Sequence, residues 1–425
     1  MKRKSLERPS SARNGLRGKC NTLLVTLVAL LAGAQACAGG FATDRFTFRG
    51  FGTLAATWQN SEEDVAYRRF IGQSRGVDGG DVELHTDSIA GAQIDFELRE
   101  GLSLSAQGVT RLRPDGDWHP GLSQGYLRYS PDESLVLRAG RLGYDIYLLA
   151  ESRQVGYSYL AMRPSPEIYG MLGSDEVDGA DVTYTHRLGR GLARVRLFGG
   201  GSSNQVAFVD GTYDDTAADI HGAVLDYLYR GWTARAAIVR FQYDPDPQLA
   251  LLAAGLEMTG APDAVGIARG LSRDELTSNG VQLGLVYDEG PLQAQLLTTH
   301  ITSDSIAGPD LDAVYAQVGY RLGQWTPFLA YASSRDRDAI AATGLPDLPM
   351  FAPLNVGVRQ VQSNVRSTLH TTSFGLRYDL SSHFDFKLQI DHISIRSSSL
   401  MLDRRVPPGG PLDMTVIAAG VDFVF

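Results

Sequence analysis

From residue 44 to the end of the chain, segments of about ten residues alternate apolar and polar side chains with period two. Such alternation gives half-buried strands with one apolar face. The connections between segments alternate too, one tight and the next long. A closed antiparallel sheet with tight turns at one end and long loops at the other has this asymmetry. No stretch beyond the leader reaches about 18 consecutive apolar residues, so the sequence offers no membrane-spanning helix.

Sixteen strands are predicted. The first four span Asp44 to Trp58, Leu84 to Arg99, Leu102 to Leu112 and Gly121 to Ser130. Ser134 to Leu142, Val177 to Leu188, Gly191 to Gly200 and Ala217 to Tyr229 follow. The next four are Trp232 to Tyr243, Ser278 to Asp288, Leu292 to Thr302 and Leu311 to Leu322. Trp325 to Ser333, Ser367 to Tyr378, His383 to Arg396 and the terminal MTVIAAGVDFVF complete the set. The tight connections fall at Glu100-Gly101, Pro131-Asp132, Gly189-Arg190, Arg230-Gly231, Glu289-Gly290 and Gly323-Gln324. Residues 244–277 and 334–366 read as long loops. Trp232 and Trp325 each open a strand just after a tight turn, where an aromatic belt meets a membrane surface. A chain of 425 residues with 47 Gly and 18 Pro is long for one soluble domain, but a barrel grows by adding strands.

The N-terminus reads as a secretory leader. Seven basic residues, Lys2 to Lys19, precede the apolar run from Thr22 to Gly33 and the small residues Ala34, Ala36 and Ala38. Residues 1–38 are therefore expected to be a cleaved signal peptide, cut between 36 and 42, ahead of a barrel over 44–425. Ala34-Gln35-Ala36 before Cys37 lacks the leucine of a lipoprotein site. Both cysteines, Cys20 and Cys37, lie in or at the edge of this leader, so neither disulfides nor cysteine metal sites are expected. Removing residues 1–36, with seven basic residues and one acid, takes the formal charge from −9 to −15. An acidic chain with a single remaining lysine, Lys387, argues against a nucleic-acid partner.

One stretch breaks the rhythm. Gly143 to Glu176 is too apolar and aromatic for a solvated loop and has no helical period beyond one turn at Ile146 to Glu151. It is expected to tuck inside the barrel and narrow it. Its candidate constriction residues are Asp145, Tyr147, Glu151, Arg153, Arg163 and Glu167. With the apolar face of the strands turned to lipid, the other face lines water. Arg99, Arg111, Arg128, Arg138, Arg194, Arg196, Arg235, Arg321 and Arg377 fall mostly on it, with Gln93, Gln107, Gln317 and Gln389. An arginine facing lipid at the midplane costs roughly 2–4 kcal/mol. Arg111, Arg128, Arg138, Arg194 and Arg196 form the candidate basic wall. Opposed to Asp145 and Glu151 across a gap, Arg128, Arg138, Arg194 and Arg196 would set a transverse field. The alternative is that the arginines pair with Asp95, Glu97 and Asp385 inside the wall.

The signal peptide, the strand number, the turn asymmetry and the terminal Phe425 together resemble the Gram-negative outer-membrane porins, the general-diffusion type in particular. In that family the third external loop, after the fifth strand, folds into the pore, and Gly143 to Glu176 occupies this position. The resemblance implies an all-β transmembrane barrel in the bacterial outer membrane. It implies lipid and small hydrophilic solutes as partners, passive diffusion as the function, a homotrimer and no cofactor. The segment departs from the family in lacking a compact acidic motif. Two rivals remain. A channel specific for a sugar, organic acid or aromatic compound would use Tyr144, Tyr147, Tyr157, Tyr159 and Tyr169 for stacking. A plugged structural barrel would have its arginines fully paired. No enzyme is expected, because the eight histidines are solitary in sequence and no GxSxG, HExxH or phosphate-loop motif occurs.

Overall fold

The computed structural model describes residues 4–5, 42–62, 64–113, 115–143, 145–148, 151–170, 176–207, 212–271, 276–337, 341–403 and 411–425. The predicted cleavage region up to residue 41 and Tyr144 lie outside these residues.

Sixteen antiparallel strands form one closed sheet. They are β1 (Phe46–Gln59), β2 (Ile89–Arg99), β3 (Leu102–Leu112) and β4 (Trp118–Tyr129). Next come β5 (Leu135–Gly143), β6 (Glu176–Leu188), β7 (Gly191–Ala207) and β8 (Thr212–Tyr229). The second half holds β9 (Trp232–Tyr243), β10 (Leu276–Glu289), β11 (Leu292–Ser303) and β12 (Leu311–Tyr320). The last four are β13 (Trp325–Asp336), β14 (Ser367–Asp379), β15 (Phe384–Ser398) and β16 (Leu412–Val424). Each pairs with its neighbour in sequence, and β16 closes on β1 with Thr53 opposite Asp422. No open edge is left in the sheet, which is the condition for strands to cross a membrane.

The outer face is apolar. Leu104, Leu197, Ile238, Leu283, Leu329 and Phe374 all stand exposed on it. Their sequence neighbours point the other way and are buried or half-buried: Ser105, Arg196, Gln282 and Ser373. Trp232 packs on Tyr287 at 4.7 Å and Trp325 on Tyr378 at 4.2 Å between ring centroids, so both tryptophans sit in an aromatic girdle at the tight-turn end. The tight turns need left-handed backbone, which glycine supplies at Gly189 (φ 61°) and Gly290 (φ 61°), and Arg230 adopts at φ 52°.

Sixteen is the predicted number, and two strands, β3 and β9, have the predicted bounds. Two hairpin arms differ. β7 runs on to Ala207 and β8 begins at Thr212, with Ala207 opposite Tyr213, where the sequence reads as loop. The glycine- and serine-rich run from Gly199 has no apolar face to announce it, yet a ladder of backbone hydrogen bonds extends without one. The two long loops contain helices that alternation does not reveal. They are α2 (Pro247–Met258), α3 (Pro262–Leu271) and α4 (Ala352–Val365). Pro247 occupies the first turn of α2, and Asp246 caps it by accepting from the Gln248 N–H at 2.7 Å. These helices pack on each other through Ala253, Leu256, Ala264, Ile267, Ala268 and Val358. Helix α2 is apolar nearly all round, so no stripe marks it in the sequence. Two residues of the predicted helical turn at Ile146 to Glu151 lie outside the described residues, and the other four are not helical. The central segment instead holds a 3₁₀ turn, Gly156–Ser158, and one turn of helix, α1 (Pro166–Tyr169).

Candidate functional site

The central segment is held by its polar groups to the buried face of the strands. At its start lies a network of four arginines and four acids. Asp181 on β6 stands in register with Arg138 on β5, and Asp226 on β8 with both Arg194 on β7 and Arg235 on β9. Same-face neighbours across an antiparallel pair lie close enough for their side chains to meet. Arg138 clasps Asp181 and donates to Glu151 Oε1 at 2.8 Å. Arg194 reaches Asp226 at 2.7 Å, and Arg235 reaches the same carboxylate at 2.7 Å. Arg196 bonds Asp145 and lies 3.0 Å from Glu151, while Arg235 adds a 2.9 Å contact to Asp145. Arg235 also donates to the Tyr147 carbonyl at 2.9 Å.

The geometry revises the expected gap. Asp145 and Glu151 do not face Arg138 and Arg196 at a distance; they touch them. Burial alone would raise the Glu151 pKa, but the adjacent Arg138 and Arg196 hold it below the ordinary glutamate value. The expected pairing partners differ as well. Arg377 meets Asp385 at 3.0 Å, as the alternative reading had it, and Asp95 takes Arg49 at 3.1 Å. The main partners are Asp181 and Asp226. Strand parity places both on the inner face, but which arginine each meets depends on register.

Further along, backbone carbonyls take over. Lys387 is wholly buried, bonds Asp422 at 2.8 Å, and donates to the carbonyls of Gly156 at 2.7 Å and Tyr159 at 2.6 Å. Arg377 donates to the Tyr157 carbonyl at 2.9 Å. The approach at Gly156 tolerates no side chain, since a Cβ there would lie 2.1 Å from Asp422 Oδ1 and 2.4 Å from Thr53 Oγ1. Gln389 accepts from the Met162 N–H at 2.7 Å. Arg163 is 2% exposed, lies 3.4 Å from Asp87 and 3.6 Å from Asp391, and Glu167 accepts from Thr371 and Ser165. Burial raises the Glu167 pKa above the ordinary glutamate value, against the pull of those two hydroxyls. A cavity of about 30 Å³ lies between segment and strands, lined by Tyr67, Arg163, Glu167, Tyr315, Thr371 and Asp391.

The remaining candidates separate. Tyr147 is buried and packs on Tyr169 at 5.2 Å. Tyr157 and Tyr159 carry the Arg377 and Lys387 charges over their rings, each at 4.7 Å. Arg128 is half-buried on β4, opposite Arg138. Arg321 turns to Asp288 at 2.6 Å and the Gly290 carbonyl at the tight-turn end, and Arg99 is exposed there. Arg153 is half-buried on the central segment, where its carbonyl accepts from the Tyr159 hydroxyl at 3.2 Å, and Arg111 joins a different group. The guanidinium carbon of Arg111 lies 4.8 Å from the Phe70 ring centroid, and that of Arg69 lies 5.7 Å from it. No local pattern marks Arg69 and Phe70, because they sit in a charged, glycine-rich loop.

No protein-family model matches the chain, and no curated protein matches it by sequence. Solved structures do match. OmpF of Salmonella typhi, solved with daunomycin, aligns at 12% identity and TM-score 0.54, over 91% of this chain and all of that one. OmpT, an outer-membrane protein of Vibrio cholerae, aligns at 11% identity and TM-score 0.53 over the same shares. The outer-membrane channel DcaP of Acinetobacter baumannii aligns at 12% identity and TM-score 0.52, again over 91% and 100%. With its closed 16-strand sheet, apolar outer face and aromatic girdle, the chain is an integral membrane β-barrel with the fold of the Gram-negative outer-membrane porins.

Proposed function

We propose that the protein is an outer-membrane porin, a water-filled channel through which small hydrophilic solutes and ions diffuse passively. Residues 143–176 form its constriction, with Asp145, Tyr147, Glu151, Arg153, Arg163 and Glu167 on the narrowing segment. Arg111, Arg128, Arg138, Arg194 and Arg196 belong to the facing wall. The observation that carries this reading is the fixing of the segment by inner-face side chains from many strands, from Arg138 on β5 to Lys387 on β15. A segment held this way narrows the barrel at a fixed aperture. Charged groups around such an aperture filter ions when it is narrower than about one Debye length, roughly 8 Å at physiological salt.

A general channel is favoured over one specific for aromatic solutes. Tyr147 and Tyr169 are spent on packing, and Tyr157 and Tyr159 on cations of the wall. Residues 1–38 serve as the cleaved export signal. The channel works as a homotrimer, which the smooth outer seam supports: Ala56, Ile417, Ala419 and Val421 on β1 and β16 are half-buried where other strands carry exposed leucines.

Single-channel recording of the refolded mature chain in a planar bilayer under a salt gradient tests this. Current steps grouped in threes with a finite reversal potential are the expected result. A correctly folded, heat-modifiable barrel that passes no current would overturn the open-channel reading and leave a plugged structural barrel.

A further inference from the structure

We infer that the loop joining β1 to β2 is a fixed strap across the long-loop mouth of the barrel, a second barrier to solutes in series with residues 143–176. The inference rests on the channel reading for its effect on transport, though not for the strap itself.

The loop is described at residues 60–62 and 64–88. A charged, glycine-rich connection ordinarily runs over the surface with its backbone in water. Here Val65, Ala66, Tyr67, Arg68 and Val77 are each no more than 4% exposed. Val65–Tyr67 pairs with Val77–Asp78 in the same loop and with Met401–Asp403 in the loop between β15 and β16. The strands below are shaped to receive it. The inner face of β15 runs through Lys387, Gln389 and Asp391, then turns apolar at Ile393 and Ile395. The inner face of β16 changes likewise, from Asp422 to Val416 and Met414 at the long-loop end. Inward apolar side chains serve no purpose in a wet lumen, which polar groups line. These four instead meet Val65, Tyr67 and Ile71 in one apolar cluster. Apolar area buried this way offsets the entropy of ordering the loop.

Polar contacts fix the strap at both sides and underneath. Arg68 donates to the carbonyls of Ser399 at 3.1 Å, Ile71 at 3.1 Å and Gln73 at 2.9 Å. Gln59, at the end of β1, donates to the carbonyls of Val65 at 2.9 Å and Val77 at 3.0 Å. On the other side Ser74 donates to the Arg113 carbonyl at 3.1 Å and Arg75 to the Gly116 carbonyl at 2.6 Å. Both acceptors lie in the loop between β3 and β4, so the strap bridges from β15 and β16 to that loop. Beneath it, the Ile71 N–H donates to the Gly170 carbonyl at 2.9 Å. The Arg163 guanidinium carbon lies 5.4 Å from the Tyr67 ring centroid. Gly170 permits the close approach, since a Cβ there would lie 2.8 Å from the Arg69 carbonyl. Strap and central segment are thus joined, and a solute entering from the long-loop end meets the strap first.

The full mature barrel tests this. Trp58 and Val82 stand in register, so an Asn-Gly turn in place of residues 60–80 closes β1 onto Asp81 as a plain hairpin. Single-channel conductance and liposome swelling with glucose, sucrose and raffinose compare this variant with the wild type. The hairpin variant, folded by heat-modifiable mobility, should conduct more, on the order of twofold, and admit the larger sugars faster. Hydrogen exchange reads the strap without any current: the Val65, Tyr67 and Ile71 amides should be protected like those of the strands. Arg68→Met should speed that exchange about tenfold while the barrel stays folded. Equal conductance and equal sugar uptake in the two barrels overturn the barrier and leave the channel reading intact. Fast exchange at those three amides in the wild type overturns the strap, whether or not the barrel conducts. A silent wild type whose hairpin variant conducts keeps the barrier and overturns the open channel. If both are silent the channel reading falls, and slow exchange keeps the strap as a fixed plug.

Discussion

Two groups of arginines face the same interior and are built on opposite plans. Arg138, Arg194, Arg196 and Arg235 interleave with Asp145, Glu151, Asp181 and Asp226, and each guanidinium is within 3.0 Å of a carboxylate. Arg69 and Arg111 come from a loop and from the end of β3, and both lie against the ring of Phe70. The first group works as structure. It staples the start of the central segment to β5, β7 and β9, and its charges cancel locally. In the second, two guanidinium groups share one aromatic ring. Counting arginines on the inner face therefore says little about ion preference; the acids beside them decide it.

Removing an acid from the first group tests this most severely. Asp226 is 2% exposed and serves both Arg194 and Arg235. Asp226→Ala removes the carboxylate that Arg194 meets and one of the two that Arg235 meets, a loss on the order of 3 kcal/mol. Urea unfolding of the lipid-reconstituted barrel would read it. A loss below about 1 kcal/mol would show that the network does not hold the wall together.

Glu167 sharpens the comparison, since it is an acid in the segment with hydroxyl partners instead of a close arginine. Its pKa in the folded barrel is raised, by burial above all, so the folded state favours the neutral form. The unfolded chain ionises near the ordinary value of 4.5, and stability therefore falls as pH rises from there through the folded-state pKa. Glu167→Gln should be more stable than the wild type at pH 7, with the two converging as pH drops below about 4.5. A gap that stays constant with pH would rule out titration as its cause. The Asp226→Ala loss has a different origin and should change little over pH 5 to 8.

The smallest effect belongs to the second group. Arg69→Gln removes a cation 5.7 Å from the Phe70 ring centroid, and its unfolding free energy should fall by less than about 1 kcal/mol. A loss as large as that of Asp226→Ala would collapse the contrast between the groups.

The legible parts of this chain are those set by local pattern. Period-two alternation sets the strands, since a one-residue error would turn every leucine inward. The bounds of β3 and β9, the tight turns and the inward face of Arg138 and Arg196 follow from it. The pattern falls silent where structure outruns amphipathicity, as in the glycine-rich ends of β7 and β8 and the uniformly apolar helix α2. Of the site, the segment 143–176 could be marked out because an aromatic loop is anomalous among strands. Its anchors could not be named. Lys387 and Asp422 lie far from Gly156 in sequence, and strand register alone decides that they meet there.

Sequence alone determined that the chain makes a closed sheet with lipid outside and polar groups inside, because parity is a property of neighbouring residues. Only the tertiary structure decided which acid each inner arginine meets. Such pairing depends on distances of about 3 Å between residues that strand register brings together from separate parts of the chain.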